Sequence, residues 1–588
     1  MPPSDAKLPF QVPDGYLAER VAAPPLVVHP MFACFDDRGR LYVAGSSGHN
    51  DRPEVLRAKP PDMIRCLEDT DGDGQFDKST IFADKLTYPQ GVLWYQGAVY
   101  TASPPSLWRL EDTDGDGQAD RRQELVTGFP FTGIADDLHG PCLGPDGRIY
   151  WCVGRFDYAI HKPGGPILRR GKAPLVMRCR PNGSEIEVFS AAMGNPVEVA
   201  FSPEGELFAC GTFLSPESQG AGLRDALIHC VEGGVYSVRD RILFEDKRTG
   251  DFLPPLSQLG VAAGSGLVLP RGGAFGDGFR PTLYAAMFNL HGVSRHRLSR
   301  DGATFRARDE PFLTSNDPDF HPTDVLEDAD GSLLVVDTGG WFRSCPTSQI
   351  EKRNVYGGIY RIRYRGSRPK DDPRGLKIAW SRLDPKGLAR LLDDPRFAVR
   401  DRAVEELARR GPAALPALRD VLQGGHSTRA RRHAVWALAR IEGADARAVT
   451  RLALNDRAIV VRLVAANVSG LHRDERAVEH LSGLVASDRS PAVRREAATA
   501  LGRLGHREVV PTLREALRAG PDRFLEHALL LALIRLDDRE ATRLGLEDPD
   551  PRVRRGTLIA LDQMDHGGLT PQQVIPLLDP TAGSYTHL

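Results

Sequence analysis

The first 364 residues alternate short runs of β-branched and aromatic residues with polar turns that contain glycine, aspartate or proline. One phrase recurs six times, a glycine turn followed by an alternating apolar strand, as in DDRGRLYVAG at 36–45 and GPDGRIYWCVG at 144–154. Glycine supplies the positive φ that a tight hairpin turn needs. The pattern therefore predicts a series of β-hairpins in this part of the chain.

The six hairpins recur at comparable intervals of 50 to 76 residues, marked by Tyr42, Tyr100, Tyr150, Phe208, Tyr284 and Leu334. Six all-β units of this size predict a six-bladed β-propeller, in which radial closure protects the edge strands. A β-sandwich is the alternative, but it seldom repeats one hairpin phrase six times. We place the propeller at residues 8–364.

The hydrophobic period becomes helical after about Leu383, with apolar residues at positions i, i+3 or i+4, and i+7. Arginines recur at one place in this pattern, at intervals of 31 or 32 residues: Arg400, Arg431, Arg462 and Arg494. Helix pairs of this length bury their apolar stripes by stacking, which predicts a HEAT-type α-solenoid at 383–580. We interpret 365–382 as a linker and 581–588 as an irregular, non-native tail. The fold class is thus multidomain, an all-β propeller followed by an all-α solenoid.

The repeated arginines alternate with glutamate and aspartate, and aromatic residues do not separate them. This arrangement favours ion pairs between repeats over a nucleic-acid surface, which would need aromatic rings for stacking on bases. The usual use of such a solenoid is a concave protein-binding face. We therefore expect a protein partner and no nucleic acid.

Composition excludes several other classes of protein. The 588 residues are 41% hydrophobic and carry a net charge of −2, and no stretch approaches 18 consecutive apolar residues, so we expect no membrane span. The N-terminus lacks the basic head and apolar centre of a secretion signal. None of the eight cysteines forms a CxxC or CxxCH motif. We therefore expect packed thiols, with neither a zinc ribbon nor a haem attachment site.

Two acidic loops share the sequence DTDGDGQ and begin 43 residues apart, at Asp69 and Asp112. Carboxylates at alternate positions converge on one point when the chain curls around it, and Ca²⁺ accepts such irregular oxygen ligands. The predicted ligands are Asp69, Asp71, Asp73, Gln75 and Asp77 in the first loop and Asp112, Asp114, Asp116, Gln118 and Asp120 in the second. The glutamines would contribute backbone carbonyls.

The twelfth position of these loops is Thr80 or Gln123, where an EF-hand has a bidentate glutamate. This substitution predicts weaker, structural calcium binding. A solvated acidic turn without metal is the alternative. We expect each loop to join outer strands of neighbouring blades.

Several segments together resemble a known family: the paired LEDTDGDGQ, DDLHGPCLGPDGRIYWCVGR at 136–155, HPTDVLEDADGSLLVVDTGGWF at 321–342 and GGIYRIRY at 357–364, followed by HEAT repeats. They resemble the membrane-bound dehydrogenase family of planctomycetes and verrucomicrobia. Its propeller is distantly similar to soluble quinoprotein glucose and sorbosone dehydrogenases. The resemblance implies pyrroloquinoline quinone and Ca²⁺ as cofactors, a sugar or alcohol substrate, an electron acceptor docked on the solenoid, and a periplasmic or extracellular location.

The resemblance also implies candidate site residues. His139 is the candidate base for the substrate hydroxyl proton, and a hydrogen-bonded structural histidine is the alternative. Arg155, His291 and His321 are candidates for cofactor binding, although a surface ion pair is an alternative for Arg155. Two hypotheses remain open, a quinoprotein-type dehydrogenase and a non-enzymatic calcium-stabilised propeller that binds a glycan or a protein.

Overall fold

The computed structural model describes residues 8–213, 224–236, 245–273, 275, 281–345, 348–367 and 370–575. Within these residues, strands occupy the first part of the chain and helices the last, apart from the short helix α1 (Pro53–Ala58). The predicted fold class, a six-bladed propeller followed by a HEAT-type solenoid, is confirmed.

The strands of the propeller form six antiparallel sheets. They are β1 (Tyr16–Ala22), β2 (His29–Phe35), β3 (Leu41–Ser46), β4 (Asp62–Glu68), β5 (Lys78–Leu86), β6 (Val92–Tyr95), β7 (Ala98–Ser103), β8 (Ser106–Glu111), β9 (Arg121–Thr127), β10 (Leu138–Leu143), β11 (Ile149–Val153), β12 (Tyr158–His161), β13 (Ile167–Gly171), β14 (Leu175–Cys179), β15 (Glu187–Ala191), β16 (Asn195–Phe201), β17 (Leu207–Thr212), β18 (Asp225–Cys230), β19 (Ser257–Gly260), β20 (Gly264–Val268), β21 (Thr282–Met287), β22 (Gly292–Asp301), β23 (Thr304–Thr314), β24 (Pro322–Glu327), β25 (Leu333–Cys345) and β26 (Ser348–Tyr364).

Sheet 1 comprises β2–β5, sheet 2 β6–β9, sheet 3 β10, β11, β14 and β15, sheet 4 β16–β19, sheet 5 β20–β23, and sheet 6 β24–β26 with β1. The hairpin β12–β13 leaves sheet 3 and pairs with the outer edge of sheet 2. The first strands of successive sheets contact one another around the full circle, and β24 of sheet 6 contacts β2 of sheet 1. These first strands therefore surround the central channel.

The N-terminal strand closes the ring, because β1 forms the outermost strand of sheet 6. Tyr16 pairs with Tyr364 in the antiparallel ladder between β1 and β26. Phe10, just before β1, packs against Phe320 and Tyr360 with ring centroids 5.1 and 5.0 Å apart. The two ends of the propeller are thus held in one sheet and one apolar cluster.

The six marker residues of the sequence pattern all lie on the second strand of a sheet, one in each. The hairpin phrase therefore identified six equivalent strands correctly. Cys66, Cys152, Cys179, Cys210 and Cys230 are buried free thiols, as expected for packed cysteines.

The solenoid contains six helix pairs and the start of another helix among the described residues. Its helices are α2 (Pro385–Arg390), α3 (Phe397–Arg410), α4 (Leu415–Gln423), α5 (Thr428–Leu438), α6 (Ala444–Leu452), α7 (Ile459–Leu471), α8 (Val478–Ser487), α9 (Pro491–Leu504), α10 (Val510–Arg518), α11 (Arg523–Leu536), α12 (Arg539–Arg543), α13 (Pro551–Gln563) and α14 (Pro571–Val574). None of the helices described is both long enough and apolar enough to cross a membrane.

The repeated arginines behave in two ways. Arg431 and Arg462 form the predicted ion pairs with the next repeat, at 2.6 Å to Asp456 and 2.7 Å to Asp488. The prediction is wrong for Arg400 and Arg494, whose guanidinium groups donate to backbone carbonyls instead. The reason is the residue at the matching turn of the next repeat, which is His426 or Gly520 rather than aspartate.

The second helices of the pairs pack directly on the propeller, and two buried glutamates hold the domains together. Glu206, in the turn between β16 and β17, accepts hydrogen bonds from Arg495 of α9 and from Arg300, both at 2.6 Å. His229 lies 3.0 Å from the same carboxylate. Burial raises the pKa of Glu206, but the charges of Arg495 and Arg300 outweigh this effect and hold the pKa well below its usual range.

Glu232 forms the second junction. It accepts from Arg503 of α9 at 2.7 Å, from Arg535 of α11 at 2.6 Å and from Arg178 of the propeller at 3.2 Å. Beside it, Nε2 of His527 donates to the Glu232 carbonyl at 2.9 Å. Each glutamate thus has cationic partners from both domains, which offset the cost of burying its charge.

Candidate functional site

The solenoid covers the face of the propeller where the first and second strands of each sheet are joined. Trp436 of α5 packs on the turn between β16 and β17, and its Nε1 donates to the Pro203 carbonyl at 3.0 Å. Gly205 in this turn has a φ of +86°, and a Cβ there would lie 2.8 Å from the Trp436 ring. The turn needs glycine both for its backbone conformation and for this close packing.

A cavity of about 1290 Å³ lies between this face and the helices α3 and α5. All six sheets contribute to its lining, and the first strands do so at the point where the central channel ends. Small-molecule sites typically have volumes of about 300–1,000 Å³. The cavity is therefore large enough for a metabolite.

A pair of carboxyl groups stands where the channel meets the cavity. Asp324 of β24 accepts a hydrogen bond from the Ala33 amide at 2.9 Å, and Glu198 of β16 accepts one from the Leu267 amide at 2.8 Å. The two carboxyl groups are also close enough for each to shift the pKa of the other. Between them, Gly266 lies so close that a Cβ would be 2.4 Å from the Asp324 Cα. The pair thus connects the innermost strands of sheets 4, 5, 6 and 1.

The pKa values of both acids are raised toward or beyond neutral pH. Burial raises the pKa of Asp324 to about 6. Burial, and after it the charge of Asp324, raises the pKa of Glu198 well above its usual range. Two neighbouring buried carboxyl groups repel each other when both are ionised, and these raised pKa values allow the pair to hold one proton.

The helical wall of the cavity has more basic than acidic residues, although Asp401, Glu405 and Glu406 also line it. We call Arg271, Arg400, Arg429, Arg432, His433 and Arg440 the arginine cluster, and all six line the cavity. Arg271 pairs with Asp401 at 2.7 Å and Arg429 with Asp393 at 2.8 Å. The carboxyl pair and the arginine cluster therefore present groups of opposite character to the same space.

Apolar side chains fill the channel beyond the carboxyl pair. Trp341 of sheet 6 is fully buried in an apolar cluster with Met31 of sheet 1 and Tyr88. Val197, on the innermost strand of sheet 4, packs against the same cluster. Sheets 1 and 4 lie on opposite sides of the ring, so side chains from both sides meet within the channel.

His139 lies at the far end of the channel, near the start of β10. It is 2% exposed, and burial lowers its pKa to about 4, an effect that Asn195 partly offsets. Neither ring nitrogen makes a hydrogen bond of good geometry with the described residues. His139 is thus a buried, neutral imidazole at pH 7.

The other candidates from the family resemblance form two separate groups. Arg155 pairs with Asp136 at 3.1 Å. An ion pair is the alternative to cofactor binding that the sequence suggested for Arg155. His291 and His321 are neighbours, with ring centroids 4.8 Å apart, and their Nδ1 atoms bond the carbonyls of Phe320 and Gly339. A role for these residues in cofactor binding stays a prediction.

The acidic loops each join the third and fourth strands of one sheet, β4 to β5 and β8 to β9. The expectation that they connect strands of neighbouring blades is therefore wrong, because each loop is the turn of a hairpin. Contact with the preceding blade comes instead from the backbone. The Phe76 amide donates to the Val21 carbonyl at 3.0 Å, and the Ala119 amide donates to the Phe82 carbonyl at 2.7 Å.

Three carboxylates converge in each loop, with one oxygen of each within 4.8 Å of the others: Asp69, Asp71 and Asp77 in the first loop and Asp112, Asp114 and Asp116 in the second. Asp73 accepts from the Gln75 amide at 2.7 Å. Asp120 accepts from the Thr113 hydroxyl. Calcium ligation stays a prediction for all ten residues of the two loops.

The sequence analysis did not identify Glu198, Asp324 or the arginine cluster as site residues. Glu198 and Asp324 lie within apolar strands, where a single carboxylate gives no motif. The sequence did contain one signal for the arginine cluster. Arg431 and Arg462 have an aspartate partner in the next repeat, whereas Arg400 has no such aspartate. The cavity itself depends on how the two domains pack together.

Replacing Asp324 by asparagine tests the protonation of the carboxyl pair. The asparagine side chain would still accept from the Ala33 amide but could not ionise. The folded-state pKa of about 6 is raised, so this group stabilises the wild type fully below its ordinary pKa and loses that contribution as pH rises through 6. We expect Asp324→Asn to gain stability relative to wild type between pH 4 and 8, on the order of 2 kcal/mol.

Urea unfolding at several pH values measures this difference, with the exposed Asp445→Asn as the control. A stability difference between Asp324→Asn and wild type that does not change with pH would show that Asp324 keeps an ordinary pKa.

A family profile supports the helical part of the architecture. A HEAT-repeat profile matches residues 385–468 and 448–534. Among solved structures, an oxidoreductase of Thermus thermophilus described as a glucose dehydrogenase is 20% identical, with a TM-score of 0.40, and the alignment covers 59% of this chain and 100% of that one. The aldose sugar dehydrogenase of Streptomyces coelicolor, in its form bound to pyrroloquinoline quinone, is 16% identical, with a TM-score of 0.41 and coverage of 60% and 99%.

A gluconolactonase of Xanthomonas campestris is 13% identical, with a TM-score of 0.36 and coverage of 61% and 96%. Similarity at this level carries no argument about activity. A search of curated proteins gave no match.

The propeller itself matches one family over its whole length. The profile described as a domain of unknown function, DUF7133, matches residues 2–365, which is more than half of the chain. The resemblance to the membrane-bound dehydrogenase family stays a hypothesis. The chain therefore belongs to the DUF7133 family.

Proposed function

We propose that this protein binds a small polar ligand in the cavity between the propeller and the solenoid. The observation that carries the proposal is the cavity itself, which is lined by both domains and by all six sheets. A concave site with apolar walls and a few converging polar groups is the usual form of a ligand pocket. Here those groups are the carboxyl pair on one side and the arginine cluster on the other.

The proposal is a variant of the hypothesis that the propeller is a non-enzymatic binding domain, with a small molecule as the ligand. The solenoid acts as a fixed wall of the site, because Glu206 and Glu232 tie it to the propeller. The second helices of its helix pairs already contact the propeller. A protein partner, including the electron acceptor that the family resemblance implies, would therefore use another surface of the solenoid.

A variant that fills the cavity tests the proposal. Ala398 of α3 lines the cavity, and phenylalanine at this position would occupy part of the space. We expect at least one compound of a metabolite library to raise the melting temperature of the wild type and to lose this effect in Ala398→Phe. The matched control is Val460→Phe, because Val460 occupies the same repeat position in α7 and does not line the cavity.

Thermal shift followed by native mass spectrometry makes the measurement. The proposal fails if no compound binds the wild type, or if every compound that binds affects Ala398→Phe and wild type equally.

A quinone-dependent dehydrogenase is the second candidate, and the neutral imidazole of His139 favours it. When bound, pyrroloquinoline quinone would accept hydride from a sugar or alcohol, and a base would take the hydroxyl proton. However, His139 is 2% exposed and Trp341 is fully buried beside the channel. A substrate or a flat cofactor could not reach His139 in this arrangement, so the residues at this end do not fit the cofactor.

A dye-reduction assay decides between the two candidates. The protein is incubated with pyrroloquinoline quinone and Ca²⁺ and assayed with a panel of sugars and alcohols. Because His139 is buried, we expect no turnover above background. Turnover in the wild type that falls at least tenfold in His139→Ala would contradict this expectation and support the dehydrogenase.

The acidic loops are proposed to hold structural Ca²⁺. The close carboxylate oxygens of each loop support this proposal, because without a cation they would repel one another. The cation would keep each loop in the conformation that places Phe76 or Ala119 against the preceding blade. The role is therefore mechanical, and it is separate from ligand binding.

Removal of calcium tests this role. We expect a chelator to lower the melting temperature of the wild type by several degrees and excess Ca²⁺ to restore it, with a midpoint in the range of about 10⁻⁴–10⁻³ M. The double variant Asp71→Asn/Asp114→Asn should lose most of the response, whereas the solenoid variant Asp445→Asn should keep it. A melting temperature that neither chelator nor Ca²⁺ changes would rule out the calcium sites.

A further inference from the structure

Two of the four repeated arginines, Arg400 and Arg494, lack the aspartate partner in the next repeat, and of these two Arg400 lines the cavity. In two successive repeats the arginine donates to a backbone carbonyl of its own turn and to the aspartate at the turn of the next repeat. Arg431 does so with Asp456, and Arg462 with Asp488. Arg400 makes the backbone bond, to the Asp394 carbonyl at 2.7 Å, but the matching residue of the next repeat is the exposed His426.

The position of His426 follows from the hydrogen bonds rather than from spacing alone. The carbonyl of His426 accepts from Nη1 of Arg431, as the Asp456 carbonyl accepts from Nη1 of Arg462 and the Asp394 carbonyl from Nη1 of Arg400. Arg431 reaches back five residues, whereas Arg400 and Arg462 reach back six, so the turn before α5 is one residue shorter. With this offset, an aspartate at position 426 is expected to face Arg400.

Arg400 and two neighbours carry buried donors without acceptors. Arg400 is 6% exposed, and its Nε has no hydrogen-bond partner among the described residues. The same holds for Nε of Arg432 and for Nε and Nη1 of Arg440. All three side chains line the cavity. Other arginines of the chain also have buried donors without partners, but Arg400, Arg432 and Arg440 bring theirs to one cavity, where a bound ion or water would satisfy them.

Electrostatics at this wall also favours a negative charge. Burial lowers the pKa of Arg400 to about 10. The charge of Asp401 opposes this effect, and the charges of Arg271, Arg429 and Arg432 add to it. Burial and the neighbouring Arg432 and Arg400 likewise lower the pKa of His433 well below its usual range. A proton on His433 is thus disfavoured by the positive charges around it, and an anion would relieve their repulsion.

We propose that the cavity recognises the anionic group of its ligand, a phosphate or a carboxylate on a small molecule, through Arg400, Arg432 and Arg440. This inference rests on the proposed function and adds the chemical class of the ligand. Guanidinium groups suit such anions because their N–H donors match the oxygen geometry of phosphate and carboxylate. The carboxyl pair across the cavity would exclude a second anionic group and favour hydroxyl or amino groups at that end.

The variant His426→Asp tests the inference without weakening the fold. The introduced aspartate would give Arg400 the partner that Arg431 and Arg462 have, so we expect a melting temperature at or above that of the wild type. It would also compete with the ligand. Isothermal titration of the full-length protein with inorganic phosphate, and separately with citrate, should show binding to wild type that weakens at least tenfold in His426→Asp.

Two further variants complete the experiment. Arg432→Gln should also weaken anion binding at least tenfold, whereas Arg462→Gln, at the repeat position equivalent to Arg400 but away from the cavity, should remain within twofold of wild type. Equal affinity in wild type, His426→Asp and Arg432→Gln would overturn the inference, as would a wild type that binds neither probe.

The outcomes separate this inference from the proposed function. If library compounds bind wild type but not Ala398→Phe, while phosphate and citrate do not bind, the cavity is a ligand site and only its anionic specificity fails. If the probes bind and Ala398→Phe does not affect them, the anion lies outside the cavity and this inference fails, while the library screen still decides the proposed function.

Discussion

The burial of two glutamates between the domains is the constraint on which the rest of the structure depends. Glu206 and Glu232 lie in propeller turns, and each would be costly to bury alone. Arginines from both domains surround each carboxylate, so neither domain by itself satisfies the charge. The solenoid is therefore held against one face of the propeller rather than extending from it on a linker.

Docking of this kind creates the candidate site. The helices lie over the hairpin turns of the propeller, and the space between them becomes a cavity whose two walls come from different domains. The channel contributes its carboxyl pair to this cavity. Beyond that pair, Trp341 and its apolar neighbours fill the channel. The end that holds His139, which the family resemblance favours for catalysis, is thus separated from the cavity.

The sequence predicts much of the fold because its local patterns are repetitive. The glycine hairpins identify one strand in each of the six sheets, and the arginine spacing identifies the helix pairs. Residues 2–365 and the HEAT repeats match profiles of the same two regions. Where the same residue types recur in successive repeats, individual contacts can be predicted too, as for the ion pair between Arg431 and Asp456.

The candidate site was less predictable, since it depends on long-range packing. Glu198 and Asp324 are 126 positions apart and meet only because the ring closes. The sequence correctly predicts that the acidic loops are turns. The prediction that they link neighbouring blades was wrong, because a hairpin turn and a link between blades can have the same local sequence. Arg400 shows that an irregularity within a repeat can indicate function, although its meaning emerges only when the cavity beside it is known.

Differential scanning calorimetry of the intact chain tests most directly whether the two domains form one body. Domains joined by buried, shared charges should unfold together, so the account predicts a single transition with equal calorimetric and van't Hoff enthalpies. Two resolved transitions, one for the propeller and one for the solenoid, would contradict it. In that case the cavity would have no fixed wall.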